Sequence, residues 1–156
     1  TMKLRSLILS AVLPAAASAA PMQLADYMAL SGPAPDAHVA YGPAPSQYAE
    51  LFLPQGAGPF PVAVLVHGGC WTAKFGGITQ LRNMAGALRA RGIAVWNVEY
   101  RRVDEAGGGY PGMYQDMHAA LDTLRAQAGA HRLDLGRTSE PRRVDRHGHR
   151  RPYVGR

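Results

Sequence analysis

Val62-Ala63-Val64-Leu65-Val66-His67-Gly68-Gly69-Cys70-Trp71 is the stretch on which the fold of this 156-residue chain turns. Five consecutive aliphatic residues leave no polar face, and continuous burial of that kind is the habit of a parallel strand covered on both sides. Pro61 bounds the run on one side and the glycine pair on the other, so the strand expected at 62–66 ends abruptly in a loop. Ligands of doubly wound sheets gather at the carboxyl ends of such strands. Residues 67–71 are therefore the first place to look for chemistry.

Working outward, residues 78–91 read as a helix in which Leu81, Met84, Ala85 and Leu88 recur at helical spacing. Arg89 and Arg91 fall in its last turn, where cations favour the helix dipole, and Gly92 suits a left-handed cap. Residues 93–98, Ile-Ala-Val-Trp-Asn-Val, read as a second buried strand. A glycine-rich turn at 107–109 and Pro111 lead into another helix, with Met113, Met117, Ala120, Leu121 and Leu124 on one stripe. Upstream, residues 47–53 alternate in the way of an antiparallel strand with one face better covered, and a short strand fits 38–41. Strand, helix, strand, helix in this order implies right-handed crossovers. The expected class is α/β: a truncated, doubly wound, mostly parallel sheet with helices on both faces.

An apolar content of 47% with 18% charged residues predicts one globular domain rather than a disordered or membrane-embedded chain. Lys3 and Arg5, the apolar residues 7–13 and Ala17-Ser18-Ala19 form the pattern of a secretory signal, so residues 1–19 are expected to be removed on export. The implied location is periplasmic or secreted, with no stable membrane anchor after cleavage. A single cysteine, Cys70, allows no internal disulfide. The net charge of +6 is concentrated in residues 137–156, where seven arginines face only Glu140 and Asp145. The chain thus divides into a signal (1–19), a connecting segment (20–46), a partial α/β domain (47–136) and a basic tail (137–156), read as disordered or out of frame.

From about residue 41 to 135 the chain resembles the N-terminal part of the α/β-hydrolase superfamily, in particular esterases and formamidase-like enzymes with an H-G-G-x-W loop. The residues that carry the resemblance are His67-Gly68-Gly69-Cys70-Trp71, then Gly92-Ile93-Ala94-Val95-Trp96-Asn97-Val98-Glu99-Tyr100-Arg101, then Gly109-Tyr110-Pro111 with Asp116. The resemblance implies that the amides of Gly69 and Cys70 form an oxyanion hole, with His67 and Gly68 bracing the loop and Trp71 walling the acyl pocket. It implies that Tyr100 and Arg101 support the loop from beneath and that Asp116 holds the chain entering the next helix. It implies no cofactor and no metal, and as partner a small-molecule ester or related acyl substrate of the full-length parent, not nucleic acid.

The other half of such chemistry is a serine on a G-x-S-x-G elbow, and no such sequence occurs here. In the family pattern the elbow follows shortly after Arg132-Leu133-Asp134-Leu135, where this chain turns arginine-rich and residues 137–156 offer no buried strand. The chain as written is expected to be inactive, a hydrolase fragment without nucleophile, catalytic Asp or catalytic His. Four rival readings stand beside this one. The double glycine can be a mere tight turn, or Cys70 a thiol nucleophile, although spacing names no base for it. The arginine-rich tail, with His147 and His149, can make the chain a non-enzymatic module for nucleic acid or anionic surfaces. A dinucleotide-binding oxidoreductase fits the alternation but lacks the G-x-G-x-x-G turn.

Overall fold

A computed structural model describes residues 21–137; the expected signal and the tail beyond Arg137 lie outside the described residues. Five strands form one mixed sheet: β1 (Ala37–Ala40), β2 (Tyr48–Phe52), β3 (Phe60–Val66), β4 (Ala94–Val98) and β5 (Leu133–Asp134), in the spatial order β1-β2-β4-β3-β5. β1 with β2 and β2 with β4 are antiparallel, whereas β4 with β3 and β3 with β5 are parallel. Three helices accompany the sheet: α1 (Leu24–Met28), α2 (Arg82–Arg89) and α3 (Gly112–Gln127).

β4 is the axis of the domain because its residues alternate between two fully buried faces. Ala94, Trp96 and Val98 join Ala49, Leu51, Ala120 and Leu124 beneath α3, while Val95 packs with Phe52 and Ala85 beneath α2. The α/β architecture with helices on both faces is thus as expected from the strand-helix alternation. The same two layers bury β2 from Ala49 to Phe52 on both sides. That corrects the expectation of one covered face: the polar alternation is real, but Glu50 is buried against Arg82 of α2.

β3 departs from expectation in the opposite sense. Val64 and Val66 are 41% and 48% exposed, although the aliphatic run predicted burial on both faces. The reason is the shortness of β5, which pairs only Leu133 with Phe60 and Asp134 with Pro61 before the chain turns into a 3-10 helix at Leu135–Arg137. Among the described residues, Val62 to Val66 are therefore paired to β4 alone.

The helix expected at 78–91 opens as a 3-10 turn, Ile78–Leu81, before α2 proper begins. It buries Ala85 with Leu88 against the sheet but leaves Met84 49% exposed, outside the predicted stripe. Its end follows the sequence reading: Gly92 has φ +80°, and the Ile93 amide donates back to the Leu88 carbonyl at 3.2 Å, the closure that a left-handed cap residue permits.

Candidate functional site

At the carboxyl end of β3 the backbone enters an uncommon conformation. Gly69 has φ +125°, and the next two residues, Cys70 and Trp71, have φ +50° and +56°. Left-handed conformations at non-glycine residues cost of order 1–3 kcal/mol each and persist only where the surroundings impose them. Here they are imposed by a clamp: Thr72 N–H donates to Gly69 O at 3.1 Å and Val103 N–H to Trp71 O at 2.9 Å. The Ala73 amide donates to the Asp104 carboxylate at 3.0 Å. Of the glycine pair only Gly69 has a positive φ; Cys70 and Trp71 carry the other two.

Among the described residues, no hydrogen bond takes up the amides of Gly69 or Cys70. The loop that carries them separates two cavities. One, of about 410 Å³, is lined by Val66, Trp71, Tyr100, Met113 and Met117 together with residues 67–70. The other, of about 450 Å³, has Tyr27, Lys74, Phe75 and Gln80 facing Gly68, Gly69 and Cys70. Trp71 stands at the mouth of the first, 56% exposed. Unpartnered amides beside an apolar cavity are what a developing negative charge on oxygen requires.

His67 is buried below the loop. Its Nε2 lies 2.7 Å from Glu99 Oε1 and its Nδ1 2.8 Å from the Gly68 carbonyl. The Tyr100 ring stacks on it with centroids 4.7 Å apart, and the Tyr100 hydroxyl donates to His67 O at 3.1 Å. Arg101, expected beneath the loop as well, turns elsewhere: its Nη2 donates to Asp116 Oδ1 at 2.7 Å and its backbone amide to Asp116 Oδ2 at 3.0 Å. Asp116, in α3, also accepts from Gln47 Nε2 at 2.7 Å and so ties the entry of the helix to the end of β4 and the start of β2. The structure thus gathers His67, Gly68, Gly69, Cys70, Trp71 and Tyr100 around one cavity, with Arg101 and Asp116 as a separate brace.

Glu99 carried no assigned role in the sequence, yet it holds three donors. Besides His67, it accepts from the amides of Tyr100 at 2.9 Å and Ile78 at 3.1 Å. Only its place at the end of a buried strand hinted at this. Tyr27 and Lys74 gave no signal at all, because nothing local connects them to residues 68–70.

Burial pushes the Glu99 and Asp116 carboxyls up, but the donors around each outweigh it and hold both below their ordinary values of 4.5 and 3.8. For Glu99 these are His67 and the Tyr100 and Ile78 amides; for Asp116 they are Arg101 and Gln47. A carboxylate depressed in the folded state contributes stability that is complete above its unfolded value and is lost as pH falls through the folded one. Melting temperature is therefore expected to hold from pH 7 to about pH 5 and to fall steeply below about pH 4. The Asp116→Asn variant should melt lower at pH 7 and show a shallower acid slope; an unchanged slope would remove Asp116 from this account.

A family model described as BD-FAE matches residues 49–139, more than half of the chain. No curated protein matches. Among solved structures, a bacterial heroin esterase is 32% identical over 56% of this chain and 27% of its own, with a TM-score of 0.50. Esterase B from Lactobacillus rhamnosis is 24% identical over 72% of this chain and 37% of its own, with a TM-score of 0.58. A truncated carbohydrate esterase from gut microbiota is 24% identical over 62% and 34%, with a TM-score of 0.53. The latter two share the fold. The chain spans 27% to 37% of the length of these three proteins.

Proposed function

The chain belongs to the BD-FAE family of the α/β-hydrolase superfamily, and from that membership we propose that it carries the oxyanion-binding half of an exported serine esterase. The observation that carries the proposal is the pair of amides, Gly69 and Cys70, without a hydrogen-bond partner among the described residues, on a strained turn between two cavities. The substrate is a small carboxylic ester or related acyl compound. When a serine hydroxyl attacks its carbonyl carbon, the carbonyl electron pair moves onto oxygen, and the Gly69 and Cys70 amides stabilise that charge. One such donor is worth about 3 kcal/mol of barrier. Trp71, Met113 and Met117 supply the apolar wall for the acyl group, His67 and Gly68 brace the loop, and Tyr100, Arg101 and Asp116 support the frame.

The attacking serine is not in this sequence, since no G-x-S-x-G elbow occurs in it, and neither the catalytic aspartate nor the base is assigned to any of its residues. Purified chain is therefore expected to release no nitrophenol from a short-chain nitrophenyl ester above the buffer rate. Rapid release that disappears in Gly69→Pro would contradict this and give the chain a nucleophile of its own. Export is supported by the basic start, the apolar run and Ala17-Ser18-Ala19. On this reading the mature form is periplasmic or secreted. Among the described residues, no helix is long and apolar enough to cross a membrane.

A further inference from the structure

We infer that Glu99 is the positioning residue of the amide cradle, acting through His67 on the Gly68–Gly69 peptide. The inference rests on the oxyanion reading of Gly69 and Cys70 and adds to it the group that aims the first of those donors.

The peptide between Gly68 and Gly69 is trans. In a trans peptide the carbonyl and the following N–H lie in one plane and point in opposite directions. Whatever fixes the direction of the Gly68 carbonyl therefore fixes the direction of the Gly69 N–H. The Gly68 carbonyl lies 2.8 Å from His67 Nδ1, so the imidazole sets that plane and turns the Gly69 donor away from itself. No other described hydrogen bond holds the Gly68 carbonyl. A glycine on each side of the peptide makes external orientation necessary, because neither residue restricts the plane through a side chain.

Glu99 fixes the imidazole in the place from which it can do this. One ring nitrogen lies 2.8 Å from Gly68 O and the other 2.7 Å from Glu99 Oε1, so the carboxylate sets where the Gly68 side of the ring points. Glu99 is itself buried and fixed by the amides of Tyr100 and Ile78. Among the described residues, the other charged group against it is Arg102 of the same strand end, whose Nη1 lies 3.7 Å from Glu99 Oε1. The Tyr100 ring, stacked on the imidazole, keeps its plane. Glu99 itself lines neither cavity at the loop. Its effect on a ligand must pass through His67.

The test uses the full-length chain labelled with nitrogen-15 and sodium butyrate as the oxyanion probe. In the wild type the Gly69 and Cys70 amide resonances are expected to move saturably with butyrate. In Glu99→Gln and Glu99→Ala the Gly69 resonance should already differ without butyrate, and the apparent affinity should fall by about tenfold. Leu124→Ala, which loosens the core under α3, should leave both readouts near wild type and so separates positioning from general destabilisation. Butyrate affinity and Gly69 resonance unchanged in both Glu99 variants would overturn the inference. If neither variant folds, Glu99→Asp decides: the shortened carboxylate should still move the Gly69 resonance and weaken butyrate, and a wild-type response would overturn the inference. A wild type whose Gly69 and Cys70 amides ignore butyrate would sink the cradle reading itself, a failure distinct from the others.

Discussion

Trp96→Ala is expected to lower stability by about 4 kcal/mol, the loss typical of a fully buried tryptophan whose site cannot collapse. Trp96 has no exposed surface and stands in the middle of β4, opposite Leu51 of β2 and Val64 of β3. It is the largest fully buried side chain beneath α3, where Ala49, Leu51, Ala120 and Leu124 meet it. A domain of this size has only about 5–15 kcal/mol in hand, so the variant should lose a large fraction of its stability and unfold at a markedly lower urea concentration. Trp96→Phe should behave very differently. The indole Nε1 is buried without a hydrogen-bond partner among the described residues, and phenylalanine removes that unsatisfied donor along with some volume. Its cost should stay below about 1.5 kcal/mol. Urea unfolding followed by circular dichroism measures both, and a Trp96→Phe loss as large as that of Trp96→Ala would show that the smaller ring does not fill the site.

The second large effect belongs to Arg82 and Glu50. Glu50 is completely buried in β2, and Arg82 at the start of α2 reaches it with Nε 3.1 Å from both carboxylate oxygens and a further, shorter contact from Nη2. Asn97 Nδ2 adds a donor at 3.3 Å. Removing one partner of a buried pair strands the other, which costs about 3–5 kcal/mol, whereas replacing both by apolar residues of similar size is often neutral. Because Arg82 is partly exposed, Arg82→Met should lie at the low end, about 3 kcal/mol. The double variant Glu50→Leu, Arg82→Met should recover most of that loss. Chemical denaturation gives both numbers. A double variant no more stable than Arg82→Met would mean that the pair also organises the packing of α2 on the sheet.

The same pair marks where reading along the chain ran out. Tyr48, Glu50 and Phe52 alternate with Ala49, Leu51 and Leu53, and this was enough to find the strand and its antiparallel pairing. It was not enough to find that Glu50 points inward, because its partner lies 32 residues away on a helix that local spacing cannot aim. Glu99 was hidden for the same reason: its acceptors face His67, also 32 residues distant, and Ile78, 21 residues distant. Arg101 was drawn toward the loop by its neighbour Tyr100, yet successive residues at a strand end point to different sides. Tyr100 went to the loop and Arg101 to α3.

By itself the order of residues determined the strand-helix alternation, the position of the glycine loop at the end of β3, the cap at Gly92 and the stripe of α3, since each is written in periodicity and backbone preference over a few residues. Only the tertiary structure decided that β3 stays half uncovered, that the strain falls on Cys70 and Trp71, and that a buried carboxylate at Glu99 stands behind His67. Those depend on the length of a neighbouring strand and on contacts closed across tens of residues. Burial and charge pairing are properties of what comes to lie alongside, and no local pattern records the neighbour.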